Sequence, residues 1–169
     1  MNARIRDALE TDLPVLVSIK GPGSEAIHQD RLRDAQIGSF RYLVLTDDEK
    51  VIGFACLVYR RPSYWSDAKD ETCLPQIVDL LIEEAHRGHG YGSELIRQLE
   101  KIAKDAGSKR LYIAVDPVSN PRAHALYVRL GYQPIQSVAY QKCWQFKDSR
   151  GNLHSGKDWI IDLVKELRE

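Results

Sequence analysis

The sequence lacks several features that point to particular classes of protein. Its three cysteines, Cys56, Cys73 and Cys143, are odd in number and widely spaced, and no two of them form a CxxC pair. This pattern indicates reduced thiols rather than a disulfide framework or a zinc site. No apolar run is long enough for a membrane span, and the N-terminal stretch MNARIRDALETD has no apolar signal segment. We therefore expect a cytoplasmic protein with no membrane contact and no metal.

The sequence also has no excess of charge of either sign. Its 24 Lys and Arg residues balance 24 Asp and Glu residues, and no dense basic run occurs. Without an overall positive field, nucleic acid is a poor candidate for a partner. The 169 residues suffice for one hydrophobic core, and no repeat or linker divides them. We expect one domain over residues 1–169.

Strand and helix patterns alternate along the chain. ARIRDAL predicts a strand, TDLPVLVSIK a helix with Thr11 as its N-cap, and EAIHQDRLRDAQIG a second helix. FRYLVLTDDEKVIGFACLVYRR predicts a hairpin, and QIVDLLI predicts a central strand. KRLYIAVDP predicts a strand, NPRAHALYVRLG a helix that ends at Gly131, and YQPIQSVAYQKCWQF one extended run. DWIIDLVKEL is rich in β-forming residues, which favours a strand over a helix.

A glycine-rich segment follows the central strand. Gly88, Gly90 and Gly92 fall within five residues and lead into apolar positions at helical spacing that end at Gly107. A strand, a glycine-rich turn, a helix and a strand form a βαβ unit. The first N–H groups of its helix have no partner within the helix. The segment therefore predicts an anion site.

Three classes of phosphate-bearing ligand fit such a site in general terms: nucleoside triphosphates, dinucleotides and coenzyme A. A triphosphate loop needs GxxxxGK[ST], which is absent. A dinucleotide fingerprint needs GxGxxG, but Ser93 stands at its sixth position, counted from Gly88. Asp116 does lie at the end of the next predicted strand, where a ribose-binding acid belongs. Coenzyme A fits best.

Two motifs carry a resemblance to a known family. RGHGYG matches the R/Q-x-x-G-x-G/A pattern of the GCN5-related N-acetyltransferase (GNAT) superfamily, with Arg87, Gly90 and Gly92 at the diagnostic places. NPRAHALYVRLGY resembles the second motif of the family, with Asn120 before a short helix that carries Tyr127. The chain resembles the family over nearly its whole length. The implied fold class is α/β (α+β), with a mixed, mostly antiparallel sheet splayed in its middle and flanked by helices.

The resemblance also implies an activity. The chain would transfer the acetyl group of acetyl-CoA, its co-substrate, to a primary amine by direct attack in a ternary complex. The pyrophosphate would lie on backbone amides from Arg87 to Ser93, and the pantetheine arm would pair with the end of QIVDLLI. The cofactor-binding residues implied are Leu81, Ile82, Arg87, Gly88, His89, Gly90, Tyr91, Gly92, Ser93, Asn120, Arg122 and Tyr127.

Three residues are implied for the chemistry. Tyr127 would be the general acid that meets the departing thiolate, and Asn120 would place the pantetheine or a water near its sulfur. Asp79 is the candidate general base, because it is the carboxylate on the central strand. Strand alternation puts Asp79 on the face opposite Gln76, so that a bulge would be needed to re-aim it. Glu83 or Glu84, just beyond the end of the strand, and a chain of waters without a single base are the alternatives.

The acceptor is expected to be a small-molecule amine or a peptide amine. A polar loop near the acceptor side carries Tyr64, Trp65, Asp67, Asp70 and Glu71, which suit a cationic amine or form a loop without function. A non-catalytic acyl-CoA sensor and a dinucleotide-dependent oxidoreductase that uses Asp116 remain alternatives. Two interpretations of the C-terminal extended runs are open. They pair two copies of the chain into a homodimer, or they complete the chain's own sheet.

Overall fold

The computed structural model describes residues 3–38, 40–59 and 74–167. Within these ranges, eight strands form a sheet that four helices flank. The strands are β1 (Arg4–Asp7), β2 (Phe40–Asp47), β3 (Lys50–Val58), β4 (Gln76–Ile82), β5 (Arg110–Val115), β6 (Gln133–Pro134), β7 (Tyr140–Lys147) and β8 (Leu153–Glu166). The helices are α1 (Leu13–Lys20), α2 (Glu25–Gln36), α3 (Tyr91–Asp105) and α4 (Pro121–Arg129).

The sheet is open at its middle. Its strand order is β1-β2-β3-β4-β5-β8-β6, with β7 paired to β8, and among the described strands every pair is antiparallel except β4 with β5. That parallel pair joins only Gln76 to Tyr112 and Ile77 to Ile113. Beyond Ile77, β4 and β5 separate. The mostly antiparallel, splayed sheet implied by the sequence motifs is confirmed.

Hydrophobic side chains pack on both faces of the sheet. On β2, Leu43 and Leu45 belong to the cluster that contains the apolar face of α3. Tyr42 and Val44 point the other way and pack with Leu16 of α1. Because both faces are covered, β2 and β3 are almost continuously buried. The core therefore fixes β3 as the rigid support on which β4 lies.

Strand β4 contains a β-bulge. Its register against β3 shifts between Phe54 and Cys56, so that one residue of β3 faces two residues of β4, Asp79 and Leu80. Asp79 has a φ of 48°, a left-handed conformation that few residues other than glycine adopt. The regular alternation expected for this strand is therefore broken at Asp79, and the bulge that would be needed to re-aim its side chain is present.

The start of α1 differs from the prediction. Thr11 is not its N-cap but lies within a short 3₁₀ turn, Glu10–Asp12, and the helix begins at Leu13. The carboxylate of Asp12 accepts a hydrogen bond of 2.8 Å from the backbone N–H of Leu9 and closes this turn. Asp12 thus precedes α1 in place of the predicted cap, but its side chain closes the 3₁₀ turn and makes no capping hydrogen bond to the helix.

The last two strands form the C-terminal hairpin, defined as β7 with the paired residues 153–160 of β8. The C-terminal strand is confirmed, and it extends back to Leu153. The predicted single run before it is two strands, β6 and β7. The second half of β8 pairs with β5 and β6, so that these segments complete the chain's own sheet. At the hairpin turn, the N–H of Ser149 donates a hydrogen bond of 3.0 Å to Asp30 of α2.

Candidate functional site

A cleft of about 700 Å³ lies where β4 separates from β5. Its walls come from these two strands, the helices α1, α2 and α4, and the C-terminal hairpin. The polar and aromatic side chains among its described lining residues are Lys20, Arg31, Phe40, Gln76, Asp79, Asp116, Ser119, Asn120, Tyr127, Lys142, Trp144, Gln145, Phe146 and Asp158. Its volume is typical of small-molecule sites.

Tyr127 projects from α4 into the wall of this cleft. Only 6% of its surface is exposed, and burial raises the pKa of its hydroxyl to about 12. The helix that carries it ends at Arg129, two residues before the predicted stop at Gly131, and the N–H of Tyr132 donates a hydrogen bond of 3.1 Å to the carbonyl of Tyr127. Tyr127 is therefore a firmly placed hydroxyl that stays protonated at neutral pH.

Asn120 lines the cleft from a tight turn that precedes α4. The carboxylate of Asp116 accepts hydrogen bonds of 2.9 Å from the N–H groups of Val118 and Ser119 and one of 2.8 Å from the Ser119 hydroxyl. The carbonyl of Asp116 also accepts a 2.9 Å hydrogen bond from the N–H of Asn120. Asp116 is thus engaged in shaping this turn, which disfavours the ribose-binding role considered from sequence.

Asp79 lies in the cleft wall at the bulge of β4 and forms two ion pairs. Its Oδ2 atom is 2.6 Å from Nζ of Lys20 and 2.5 Å from Nη2 of Arg31. Burial by itself would raise the pKa of Asp79, but Arg31 and Lys20 lower it well below its usual range. The side chain is held as an anion and is a weak proton acceptor. Its role as a general base stays a prediction.

The glycine-rich turn before α3 needs two of its three glycines for backbone conformation. Gly88 and Gly90 have φ values of 83° and 87°, which side chains disfavour, although a Cβ would meet no atom within 4 Å at either position. Gly92 has no such requirement, and a Cβ there would make ordinary contacts of 3.4 Å with Leu126 of α4 and 3.9 Å with Leu80. The first N–H groups of α3 emerge from this turn without helical partners.

Side chains at this turn are engaged with the protein. Nε of Arg87 donates a hydrogen bond of 2.9 Å to the carbonyl of Ile82, and the Tyr91 hydroxyl donates one of 3.1 Å to Asp47. The turn is therefore tied to the end of β4 and to the β2–β3 hairpin, and backbone groups are what it presents outward. Of the other predicted cofactor residues, Ser93 is buried, whereas His89 and Arg122 are exposed.

The structure divides the predicted site residues between two neighbouring places. Asp79, Leu81, Asn120 and Tyr127 line the cleft, whereas residues 87–93 form the turn outside it. Leu80 connects the two, since its Cδ2 atom lies 3.9 Å from the position of a Cβ on Gly92.

Sequence analysis missed the wall that the C-terminal hairpin contributes. Trp144 donates a 2.6 Å hydrogen bond from Nε1 to Asp158 and stacks on Phe146, with ring centroids 6.1 Å apart. Its indole lies directly over Gly156, where a Cβ would overlap the ring. The signal that could have identified this face is the period of two in Lys142, Trp144 and Phe146. No local signal marks Lys20 and Arg31, the partners of Asp79.

Three further expectations from sequence concern the polar loop, metal ions and membrane contact. The loop with Tyr64, Trp65, Asp67, Asp70 and Glu71 lies outside the described residues. Within residues 3–38, 40–59 and 74–167, no group of three or more His, Cys, Asp or Glu side chains could hold a metal ion. No helix in the described part of the chain has both the length and the apolar character needed to cross a bilayer.

Relatives with known names share parts of this sequence and the fold. The chain is 27% identical over 130 residues to a streptothricin acetyltransferase of Streptomyces lavendulae, covering 76% of this chain and 64% of that protein. It is 32% identical over 79 residues to the bovine (Bos taurus) thialysine N-epsilon-acetyltransferase, covering 47% and 46% of the two chains. The match thus spans less than two thirds of the length of each of these relatives.

Similarity to solved structures extends over nearly the whole chain. A GNAT superfamily phosphinothricin acetyltransferase from Sinorhizobium meliloti, in complex with AcCoA, superposes with a TM-score of 0.68 and 18% identity, covering 98% of this chain and 89% of the other. At this identity the likeness concerns the fold alone. The model of the acetyltransferase (GNAT) family matches residues 3–132, which include the glycine-rich turn, β4 and Tyr127. The chain belongs to the GNAT family of acetyltransferases.

Proposed function

We propose that this chain transfers the acetyl group of acetyl-CoA to a primary amine, which attacks directly within a ternary complex. The observation that carries the proposal is the position of Tyr127, a buried, protonated hydroxyl in the cleft beside the glycine-rich turn. Family membership supports an acetyl donor, and the AcCoA complex of the Sinorhizobium protein supports coenzyme A as its carrier. The relative named for the ε-nitrogen of thialysine supports a nitrogen acceptor.

The donor would bind along β4 and across the start of α3. The first N–H groups of α3, from Gly90 to Ser93, offer donors to the pyrophosphate, and the helix dipole favours its negative charge. Because β5 pairs with β4 only as far as Ile77, the backbone of Leu81 and Ile82 is free of β5 on that side and suits the pantetheine amides. The exposed side chains of His89 and Arg122 are available to the remaining phosphates.

The reaction requires movement of two protons. An alkyl ammonium, with a pKa of roughly 10, must lose a proton before its nitrogen attacks the thioester carbon. The new C–N bond forms, the C–S bond breaks, and the thiolate leaves. Tyr127 donates a hydrogen bond to that sulfur. Because its pKa of about 12 lies above that of a thiol, about 8.5, Tyr127 stabilises the thiolate and solvent completes its protonation.

Proton removal from the amine is assigned to water in the cleft. Asp79 carries the negative charge that a base needs, but its ion pairs with Lys20 and Arg31 make it a weak proton acceptor. Of the routes considered from sequence, the chain of waters is the one that the contacts favour, since Glu83 and Glu84 are not among the described residues that line the cleft. Asn120, which directly precedes the first residue of α4, supplies polar groups that can hold such a water or the pantetheine.

The acceptor is proposed to be a cationic small-molecule amine or a peptide amine. Asp158 places a carboxylate in the cleft wall, and Trp144 beside it presents an aromatic ring. A carboxylate attracts the ammonium form of an amine, and an aromatic face adds a cation–π contact. Described lining residues with positive charge, Lys20, Arg31 and Lys142, are matched in number by Asp79, Asp116 and Asp158, so the cleft repels neither sign strongly.

The first experiment is calorimetric titration of the full chain with acetyl-CoA, with NADH as the control ligand. Saturable binding of acetyl-CoA, followed by thiol release in the presence of a panel of primary amines, is the expected result. Binding without thiol release for any amine would favour the acyl-CoA sensor over the enzyme. Preference for NADH would overturn the proposal in favour of a dinucleotide-binding protein.

A further inference from the structure

The bulge of β4 is held by two cations from the helices on one face of the sheet. Lys20 is the last residue of α1, and Arg31 lies in the middle of α2. Both reach the same carboxylate oxygen of Asp79, at 2.6 Å and 2.5 Å. Asp79 is the residue with a φ of 48°, so that the ion pairs act on the point of β4 where the backbone is strained.

Buried neutral groups surround Arg31 on the side away from Asp79. Its side chain is 11% exposed. Its two buried neighbours, Cys56 and Tyr42, stay neutral beside this positive charge. Burial raises the pKa of Cys56 to about 12 and that of Tyr42 above its usual range. Tyr42 is in turn 2.6 Å from Nδ1 of the fully buried His28. Arg31 therefore has neutral buried groups on one side and the carboxylate of Asp79 on the other, which fixes its direction.

The bulge coincides with the opening of the sheet. Strand β4 pairs with β5 at Gln76 and Ile77 and with β3 on both sides of the bulge, and Asp79 follows two residues after the last contact with β5. The ion pairs with Lys20 and Arg31 hold Asp79 on the α1–α2 side at this position. The free edge of β4 beyond it, residues 80–82, is the one assigned above to the pantetheine arm.

We infer that Lys20 and Arg31 are positioning residues that act through Asp79, holding the β4 bulge so that the free edge of the strand can bind acetyl-CoA. The inference rests on the proposed function for its ligand. It assigns to Asp79 a structural anchor in place of proton transfer. The two helices thereby contribute to the donor site without contacting the donor.

A double-mutant cycle between Lys20 and Asp79 tests the inference. Asp79→Gly keeps a residue that adopts positive φ easily but removes the carboxylate. Lys20→Met keeps the length of the side chain but removes the charge. We expect each variant to raise the KM for acetyl-CoA about tenfold, and the double variant to do no worse than Asp79→Gly alone. Lys101→Met, which breaks the exposed pair with Asp105 on α3, is the matched control.

Two results would overturn the inference. If Lys20→Met raises the KM by the same factor in the Asp79→Gly background, Lys20 does not act through Asp79. If Asp79→Gly leaves the KM for acetyl-CoA unchanged, the carboxylate does not position the part of β4 that binds acetyl-CoA. Because Arg31 is buried and its loss can prevent folding, it is tested by Arg31→Lys, which keeps one charge and is expected to restore part of the affinity lost in Arg31→Met.

Hydrogen exchange without ligand separates this inference from the proposed function. In the wild type, those amides of residues 78–82 that are hydrogen-bonded to β3 should exchange slowly, and in both Lys20→Met and Asp79→Gly they should exchange about tenfold faster. Unchanged exchange in both variants contradicts the positioning role. If the wild type fails to bind acetyl-CoA, the proposed function is wrong, and the exchange rates still decide whether the cations hold the bulge.

Discussion

Trp144 and Asp158 are joined by a hydrogen bond of 2.6 Å across the C-terminal hairpin, from Nε1 of the indole to Oδ2 of the carboxylate. Trp144 sits opposite Gly156 in the register of β7 and β8, so that the ring crosses diagonally toward Asp158. Both side chains line the cleft. The absence of a side chain at Gly156 is what allows the indole to lie flat against the strand.

Gly156→Ala is expected to displace the indole of Trp144, because the added Cβ would overlap the ring and lie 2.7 Å from its Cε2 atom. Overpacking of this kind costs about 1–3 kcal/mol of stability. The KM for the acceptor amine should rise severalfold, while the Kd for acetyl-CoA stays within about twofold of the wild type. Steady-state kinetics and calorimetry measure the two constants. Ser155→Ala, one residue away on the outer face, should change neither, and an equal loss of acetyl-CoA affinity in Gly156→Ala would contradict the assignment of this wall.

Gly90→Asp is expected to abolish acetyl-CoA binding, since it places negative charge where the pyrophosphate is proposed to lie. Its φ of 87° also makes any side chain costly there. Gly107, just beyond the other end of α3, has a nearly equal φ of 85° and provides a matched control. Gly107→Asp should lower the melting temperature comparably but retain binding in calorimetry. Loss of binding in both variants would mean that backbone strain, and not the anion site, is responsible.

Tyr127→Phe is expected to lower kcat by roughly 100-fold, within the range for loss of one hydrogen-bond donor to the charge that develops in the reaction. The Kd for acetyl-CoA should be nearly kept, because the ring remains packed in the wall of α4 and only the hydroxyl is lost. Calorimetry and thiol-release kinetics on the same preparation measure both quantities. A sensor without catalysis would bind normally and show no thiol release even in the wild type, whereas a purely structural tyrosine would leave kcat unchanged.

His28 predicts a loss of stability in mild acid. Burial, with smaller effects from Arg31 and Lys20, lowers its pKa from 6.5 to about 4. Because the folded state disfavours the charged imidazole, stability is fully present above pH 6.5 and falls as the pH drops to about 4, by about 3 kcal/mol in total.

Urea unfolding of the wild type and of His28→Gln at a series of pH values measures this effect. The variant lacks the titrating group, so its curve should be flatter between pH 6.5 and 4. His89→Gln, which replaces an exposed histidine, should follow the wild type. A parallel pH dependence in wild type and His28→Gln would show that other groups control the acid response.

Local signals predicted the glycine-rich turn and the two helices α3 and α4 well. Glycine spacing and helical periodicity identified α3, the turn before it, and α4 with Tyr127, because these features depend on residues that are neighbours in sequence. The splay of the sheet followed from the family resemblance. At the start of α1, where Thr11 and Asp12 compete to close one turn, local propensity did not decide between them.

The contacts of Asp79 and the wall formed by the C-terminal hairpin could not be predicted in the same way. Whether Asp79 acts as a base depends on which cations lie near it, and both of its partners come from helices far upstream in the sequence. The inner face of the C-terminal hairpin depends on the register between β7 and β8 and on the division of β8 between two sets of partners. Such long-range pairings leave no periodic trace that identifies a partner.

The order of the elements has an evolutionary consequence. The turn, β4 and Tyr127 all precede residue 132, where the family match ends, whereas Trp144, Phe146 and Asp158 follow it. A single crossover after Tyr132 would therefore replace β6, β7 and β8 together and leave the proposed donor site intact. The incoming segment must keep the pairing of β8 with β5 and the contact between Ser149 and Asp30. On the proposed division of the sites, descent with a constant donor and a changing amine needs only the replacement of this terminal segment.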